Sequence, residues 1–101
     1  MNNIRTPLFL MANLGSEMAR LFSAKEKNDI EKLRGATLRA QGIISQIEIF
    51  PEMKDRMGEI DKIKYIVEDC NKSLSVLNIR KKDIESYFLP FVLNLMKQNK
   101  I

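Results

Sequence analysis

The sequence predicts an all-α protein, a small antiparallel four-helix bundle whose last helix is kinked at Pro90. Apolar residues recur at spacings of three and four over four stretches, which is the period of an amphipathic helix. No alternation of apolar and polar residues typical of a β-strand persists for any length. Because the connections between the four stretches are short, consecutive helices are expected to be antiparallel neighbours.

Length and composition indicate one globular domain. The chain has 101 residues, of which 45% are hydrophobic and 30% charged, an ordinary balance for a domain with its own core. We expect residues 1–101 to form a single domain with frayed ends at 1–5 and 99–101. The sequence has no histidine and one cysteine, so the usual zinc and haem ligands and any Ser-His or Cys-His nucleophile are missing.

The first helix is predicted from Thr6-Pro7, which has the residue types of an N-cap followed by a first helical position. Its apolar face contains Leu10, Met11, Leu14, Met18, Leu21 and Phe22. Gly15 interrupts this helix at a cost of about 1 kcal/mol relative to alanine, which a packing contact would offset. The polar segment 25–29 ends it.

The second helix is predicted from about Asp29 to Ile49, with Asn28 as N-cap and Glu31 completing a capping box. Its apolar face contains Leu33, Ala36, Ala40, Ile43, Ile47 and Phe50, with Ile30 and Ile44 beside it. Gly35 and Gly42, together with the two alanines, predict a close crossing with another helix.

The third helix is predicted to be the longest and to organise the others. Phe50-Pro51 breaks the helical pattern before it, and the stretch from Glu52 to Leu77 would reach about 39 Å as a helix. Its apolar face contains Ile60, Ile63, Val67, Cys70, Leu74 and Leu77. Since Cys70 lies on that face, we expect a buried structural thiol.

The last helix is predicted over residues 83–98, and its segment 87–96 is apolar on nearly all sides. Ile84, Phe88, Phe91 and Leu95 keep the spacing of an inward face. The remaining apolar residues predict a partner interface, because excess apolar surface on a charged small protein usually marks one. The predicted interface residues are Tyr87, Leu89, Val92, Leu93 and Met96.

Basic residues are the basis for an alternative function, binding of RNA or another nucleic acid. The net charge is +4, and Lys25, Lys27, Lys32, Arg34 and Arg39 cluster around the first turn and second helix. Three further cations follow one another near the last helix. The predicted anion contacts are Lys25, Lys27, Arg80, Lys81 and Lys82.

Paired carboxylates are the basis for a third alternative, a Mg²⁺-dependent nucleotide hydrolase. Glu26 with Asp29, and Glu52 with Asp55, are spaced one helical turn apart, a spacing that suits a hard cation. These pairs are similar to the acidic motifs of small all-helical nucleotide pyrophosphatases. Here they fall in a predicted turn and at a helix start rather than on an inward face, so no metal or catalytic residue is assigned.

The segment Ala24–Glu31 leading into Leu38–Ile44 resembles the central hairpin of flagellar export chaperones, over about a fifth of the chain. Those are small helical bundles that bind a secreted partner chain, so the resemblance implies a protein-binding bundle. The function expected first is therefore protein–protein contact without catalysis or cofactor, as a homodimer or a small adaptor. No stretch approaches the ~20 apolar residues that span a bilayer, and a cytoplasmic location is expected.

Overall fold

The computed structural model describes residues 5–98. These residues contain four α-helices and no strand, so the all-α prediction is confirmed. A 3₁₀ helix, Pro51–Arg56, precedes the third α-helix. The four α-helices are α1 (Pro7–Glu26), α2 (Ile30–Ile47), α3 (Met57–Cys70) and α4 (Lys81–Gln98). Residues 1–4 and 99–101, which hold most of the predicted frayed ends, lie outside the described residues.

Consecutive helices run in opposite directions, as an up-and-down bundle requires. In the side-chain contacts between consecutive helices, the residue number on one helix rises as the number of its partner on the next helix falls. Between α1 and α2, Arg5 contacts Gln46 and Glu17 contacts Arg39. Between α2 and α3, Thr37 contacts Asn71 and Glu48 contacts Lys64. Between α3 and α4, Arg56 contacts Phe91 and Glu59 contacts Tyr87.

The hydrophobic core is centred on α1, which packs against both α2 and α4. Its predicted apolar face is confirmed, and Leu10, Leu14, Met18 and Leu21 are completely inaccessible to solvent. The prediction that the third helix organises the fold was wrong. Since α1 is flanked by α2 and α4 along its length, it buries more of its surface than a helix at the edge.

The chain leaves α1 and enters α2 through a turn with two distinct capping residues. Asn28 adopts a left-handed conformation (φ 55°), which asparagine tolerates better than most residues. Asp29 then caps α2, because its carboxylate accepts a hydrogen bond from the backbone N–H of Lys32 at 3.1 Å. The prediction of Asn28 as the N-cap was wrong by one residue. At the start of α1, Thr6 caps the helix as predicted.

The predicted helix over 52–77 was wrong at both ends. Residues 51–56 form the 3₁₀ helix, and α3 stops at Cys70. Residues 71–80 form an irregular connection in which Leu74 is 83% exposed. The carboxylate of Asp69 accepts hydrogen bonds from the backbone N–H groups of Val76 (2.8 Å) and Leu77 (3.1 Å). These bonds require the chain to turn back on itself, which a continued helix would prevent.

The small residues of α2 do not all meet another helix. Ala36 and Ala40 are fully buried in the core, as predicted for a close crossing. A Cβ at Gly42 would meet no atom within 4 Å, and at Gly35 the nearest atom is Nη1 of Arg39 on the same helix. The expected crossing at these two glycines was therefore wrong, because both lie away from the face that the two alanines define.

The last helix begins two residues earlier than predicted and continues as a helix through Pro90. Ile84 and Phe88 are buried, and Phe91 is half-buried against the core. The predicted inward face is thus confirmed for these three residues, whereas Leu95 is half-buried and does not pack against the core. The position of the three residues determines which side of α4 points to solvent.

Candidate interaction surfaces

Large apolar side chains lie along the outer face of α4. Leu89, Leu93 and Met96 are 52%, 50% and 62% exposed. Their spacing of four and three residues places them on one side of the helix, away from Ile84 and Phe88. We call Leu89, Leu93 and Met96 the outer stripe of α4. Val92, also predicted to contact a partner, is half-buried at its margin.

Tyr87, the fifth predicted interface residue, is half-buried and makes its main polar contact within the chain. Its hydroxyl donates a hydrogen bond to the carboxylate of Glu59 on α3. Burial raises the pKa of Tyr87 to about 12, and the carboxylate of Glu59 acts in the same direction. Arg56 binds Glu59 at 3.0 Å and lies over the ring of Phe91. Tyr87 thus helps to join α3 to α4.

A groove of about 480 Å³ runs between α3 and α4, and Glu59 and Tyr87 form part of its lining. Its apolar lining is made largely of isoleucines, Ile63, Ile66, Ile79 and Ile84. Two further charged residues, Lys62 and Asp83, also line it. The groove exists because few residues of α3 touch α4, so the bundle is less tightly closed on this side.

Basic residues from three helices line a second groove, of about 490 Å³, at the end of the bundle where α1 meets α2. We call it the basic groove. Its charged lining consists of Arg20, Lys27, Asp29, Lys32, Arg39 and Lys81. The fold therefore brings together Lys27 and Lys81, two of the five predicted anion contacts.

The other three predicted anion contacts lie outside this groove. The Nζ of Lys25 donates a hydrogen bond to the backbone carbonyl of Lys72 at 2.7 Å. Arg80 pairs with Asp83 at 3.5 Å. Lys82 is exposed on the first turn of α4. Of the three consecutive cations Arg80, Lys81 and Lys82, only Lys81 therefore lines the basic groove.

A buried carboxylate beneath the basic groove was not predicted. Glu17 is 8% exposed, and its two carboxylate oxygens accept hydrogen bonds from Arg20 and Arg39, each at 2.9 Å. The sequence contains a signal for it, because Glu17 is three residues after Leu14 and four before Leu21 on an otherwise apolar face. An acid that is buried at such a position needs a basic partner.

The paired carboxylates are not arranged as the ligands of a metal ion would be. Asp29 caps α2, and Glu52 and Asp55 are exposed on the 3₁₀ helix. Within residues 5–98, no three residues of the metal-ligating types converge on one point.

The single cysteine is buried at the end of α3, as predicted. Cys70 is 7% exposed, and burial raises the pKa of its thiol to about 11.

Comparison with known proteins gives no relative for this chain. No protein-family model matches it. No curated protein and no solved structure matches it either. Among residues 5–98, no helix combines the length and apolar character needed to cross a membrane.

Proposed function

We propose that this protein acts through protein–protein contact, as a homodimer that pairs through the outer stripe of α4. The observation that supports the proposal is that Leu89, Leu93 and Met96 each leave at least half of their surface in water on one side of the helix. Singly scattered apolar residues need no explanation, whereas an aligned group on a charged protein usually marks an interface.

A second copy of the chain is the partner that the spacing of the outer stripe fits. Two-fold dimers are the commonest assemblies of soluble proteins, and their interfaces are self-complementary. If two α4 helices pair antiparallel about an axis midway between Val92 and Leu93, Leu89 of one copy faces Met96 of the other and Leu93 faces Val92. The same apolar surface is then covered on both copies.

The size of the outer stripe predicts a weak dimer. Burying the exposed half of a leucine or methionine contributes about 1 kcal/mol, and two copies supply six such side chains. That gross gain is smaller than the roughly 8 kcal/mol net that corresponds to a micromolar dissociation constant. Because association also costs translational and rotational freedom, we expect dimerisation only at high micromolar concentration, and only with a contribution from marginal side chains such as Val92.

The test is sedimentation equilibrium of the full chain from low to high micromolar concentration. The wild type should approach twice its 11.7 kDa mass as concentration rises. Leu89→Gln with Leu93→Gln should remain monomeric and keep the helical circular dichroism, because glutamine is a good helix former.

Ile30→Gln with Leu38→Gln is the matched control, since both residues are apolar side chains on α2 that are 60% and 63% exposed. This variant should dimerise like the wild type. A wild type that stays monomeric throughout the range would contradict the proposal. Equal loss of dimer in the α2 variant would also contradict it, because the effect would then follow from general apolar exposure.

A further inference from the structure

The basic groove has the dimensions and the charge of a small-anion site. Its volume of about 490 Å³ lies within the range of ordinary ligand pockets, about 300–1,000 Å³. Five of its lining residues are basic and one, Asp29, is acidic. Glu17 and Glu85 pair with lining residues, and counting them still leaves five positive against three negative charges.

Two of the cations are held in place before any ligand arrives. Arg20 and Arg39 come from different helices, and each is anchored by one nitrogen to the carboxylate of Glu17. Their side chains are nevertheless 62% and 55% exposed, so the remaining guanidinium N–H groups face solvent. Because these two side chains are already held by Glu17, less side-chain conformational entropy is lost when a ligand binds. The planar guanidinium group of arginine matches the geometry of phosphate oxygens.

The absence of a side chain at Gly35 makes room for one of these arginines. A Cβ at this position would lie 3.1 Å from Nη1 of Arg39. The guanidinium group of Arg39 therefore lies against the backbone of its own helix, pointing toward Glu17.

The three lysines of the groove are less constrained. Within residues 5–98, Lys27 forms no ion pair. Lys32 and Lys81 reach carboxylates only at 4.0 Å, the outer limit of an ion pair. Ammonium groups held this loosely remain available to an incoming anion.

The rest of the lining restricts the class of ligand. It contains no aromatic ring, and its apolar part consists of Ala19 and Ala24. Base stacking and apolar burial therefore contribute little, and charge-assisted hydrogen bonds are the main interactions available. Because four cations from three helices and Lys27 from the turn after α1 face one small volume, the groove suits several negative charges carried close together.

We infer that the basic groove binds a ligand carrying two or more adjacent phosphate groups. The arginines anchored by Glu17 hold one phosphate through their guanidinium groups, and the lysines neutralise its neighbour. The phosphates have two possible sources, a small oligophosphate compound or the backbone of RNA, and both present the same chemistry to these residues.

The test is calorimetric titration of the full chain with inorganic tripolyphosphate at physiological salt. The wild type should bind, and Lys27→Gln with Lys32→Gln should weaken binding about tenfold or more, since charge-assisted hydrogen bonds are among the stronger ones. Lys54→Gln with Lys62→Gln removes the same charge from exposed positions on the 3₁₀ helix and α3. This control should bind almost as tightly as the wild type.

Two further probes separate the sources and the chemistry. A labelled oligouridine that binds and is displaced by tripolyphosphate would identify RNA backbone phosphates as the ligand. Tripolyphosphate binding without RNA binding would identify a small oligophosphate. The inference is overturned if the wild type binds neither probe, if RNA binds but tripolyphosphate does not displace it, if the two double variants lose affinity equally, or if an oligoglutamate peptide binds as tightly.

Discussion

Gly15 of α1 lies directly against Phe88 of α4. A Cβ added at Gly15 would stand 2.7 Å from the Cβ and 2.8 Å from the Cγ of Phe88, closer than real side chains come. Phe88 is 2% exposed, so its ring is fixed within the core. The glycine that weakens α1 locally thus allows α4 to pack closely, which is the compensation its position in the helix requires.

Gly15→Ala should destabilise the protein despite improving helix propensity. The gain in propensity is about 1 kcal/mol, whereas overpacking a filled core costs about 1–3 kcal/mol. Urea unfolding followed by circular dichroism measures the difference.

Gly42→Ala is the control for this substitution. Gly42 is exposed within α2, and its Cβ would meet nothing within 4 Å. This variant should be more stable than the wild type by roughly 0.5–1 kcal/mol. If both glycine variants were stabilised, the contact between Gly15 and Phe88 would be looser than the structure indicates.

Ile60→Ala and Leu74→Ala should differ sharply, although both residues belong to one apolar spacing in the sequence. Ile60 is fully buried, so its truncation should cost about 2–5 kcal/mol. Leu74 is 83% exposed, so its truncation should cost less than about 0.5 kcal/mol. Denaturant unfolding of the two variants is the measurement. Similar large losses would mean that Leu74 packs in the core.

Asp69→Asn should loosen the connection between α3 and α4. The backbone N–H groups of Val76 and Leu77 hold the pKa of the Asp69 carboxyl below its usual value of about 3.9, although burial of the side chain opposes this shift. A lowered pKa in the folded state stabilises the protein above that usual value, and this contribution is lost as the pH falls through the lowered pKa. The variant should therefore be less stable than the wild type at neutral pH, and the difference should shrink below about pH 4.

Amide hydrogen exchange at Val76 and Leu77 reports this change directly. Both amides should exchange faster in Asp69→Asn at neutral pH. Glu68→Gln alters the neighbouring acid, which is exposed, and should leave both amides and the pH dependence unchanged. Unchanged protection in Asp69→Asn would show that the carboxylate does not hold the connection.

Cys70 should resist thiol reagents as long as the protein is folded. Burial raises its pKa to about 11, so only a very small fraction is thiolate at pH 8, and the sulfur is also shielded from solvent. Reaction with a chromogenic disulfide at pH 8 should be slow in buffer and rapid in guanidinium chloride. A fast native reaction would mean that the end of α3 opens readily.

Local patterns in the sequence determined the all-α class, the inward faces of α1, α2 and α4, and the start of α1. Each of these depends on residues within one or two helical turns, such as the three- and four-residue spacing from Leu10 to Phe22 or the pair Thr6-Pro7. The same local reasoning was wrong after Cys70, where the apolar spacing continues to predict a helix but the chain forms an irregular connection. Leu74 and Leu77 keep the helical spacing of α3, but spacing alone does not reveal that the Asp69 carboxylate binds amides seven and eight residues further on.

Only the tertiary structure decided which helix is central and which charges meet. The sequence favoured the third helix because it was predicted to be the longest, at residues 52–77. Centrality depends instead on how many neighbours cover a helix, and α1 packs against both α2 and α4. The basic groove likewise joins Arg20, Arg39 and Lys81, which are far apart along the chain. Charges separated in this way come together only when the helices pack, because packing places α2 and α4 beside α1.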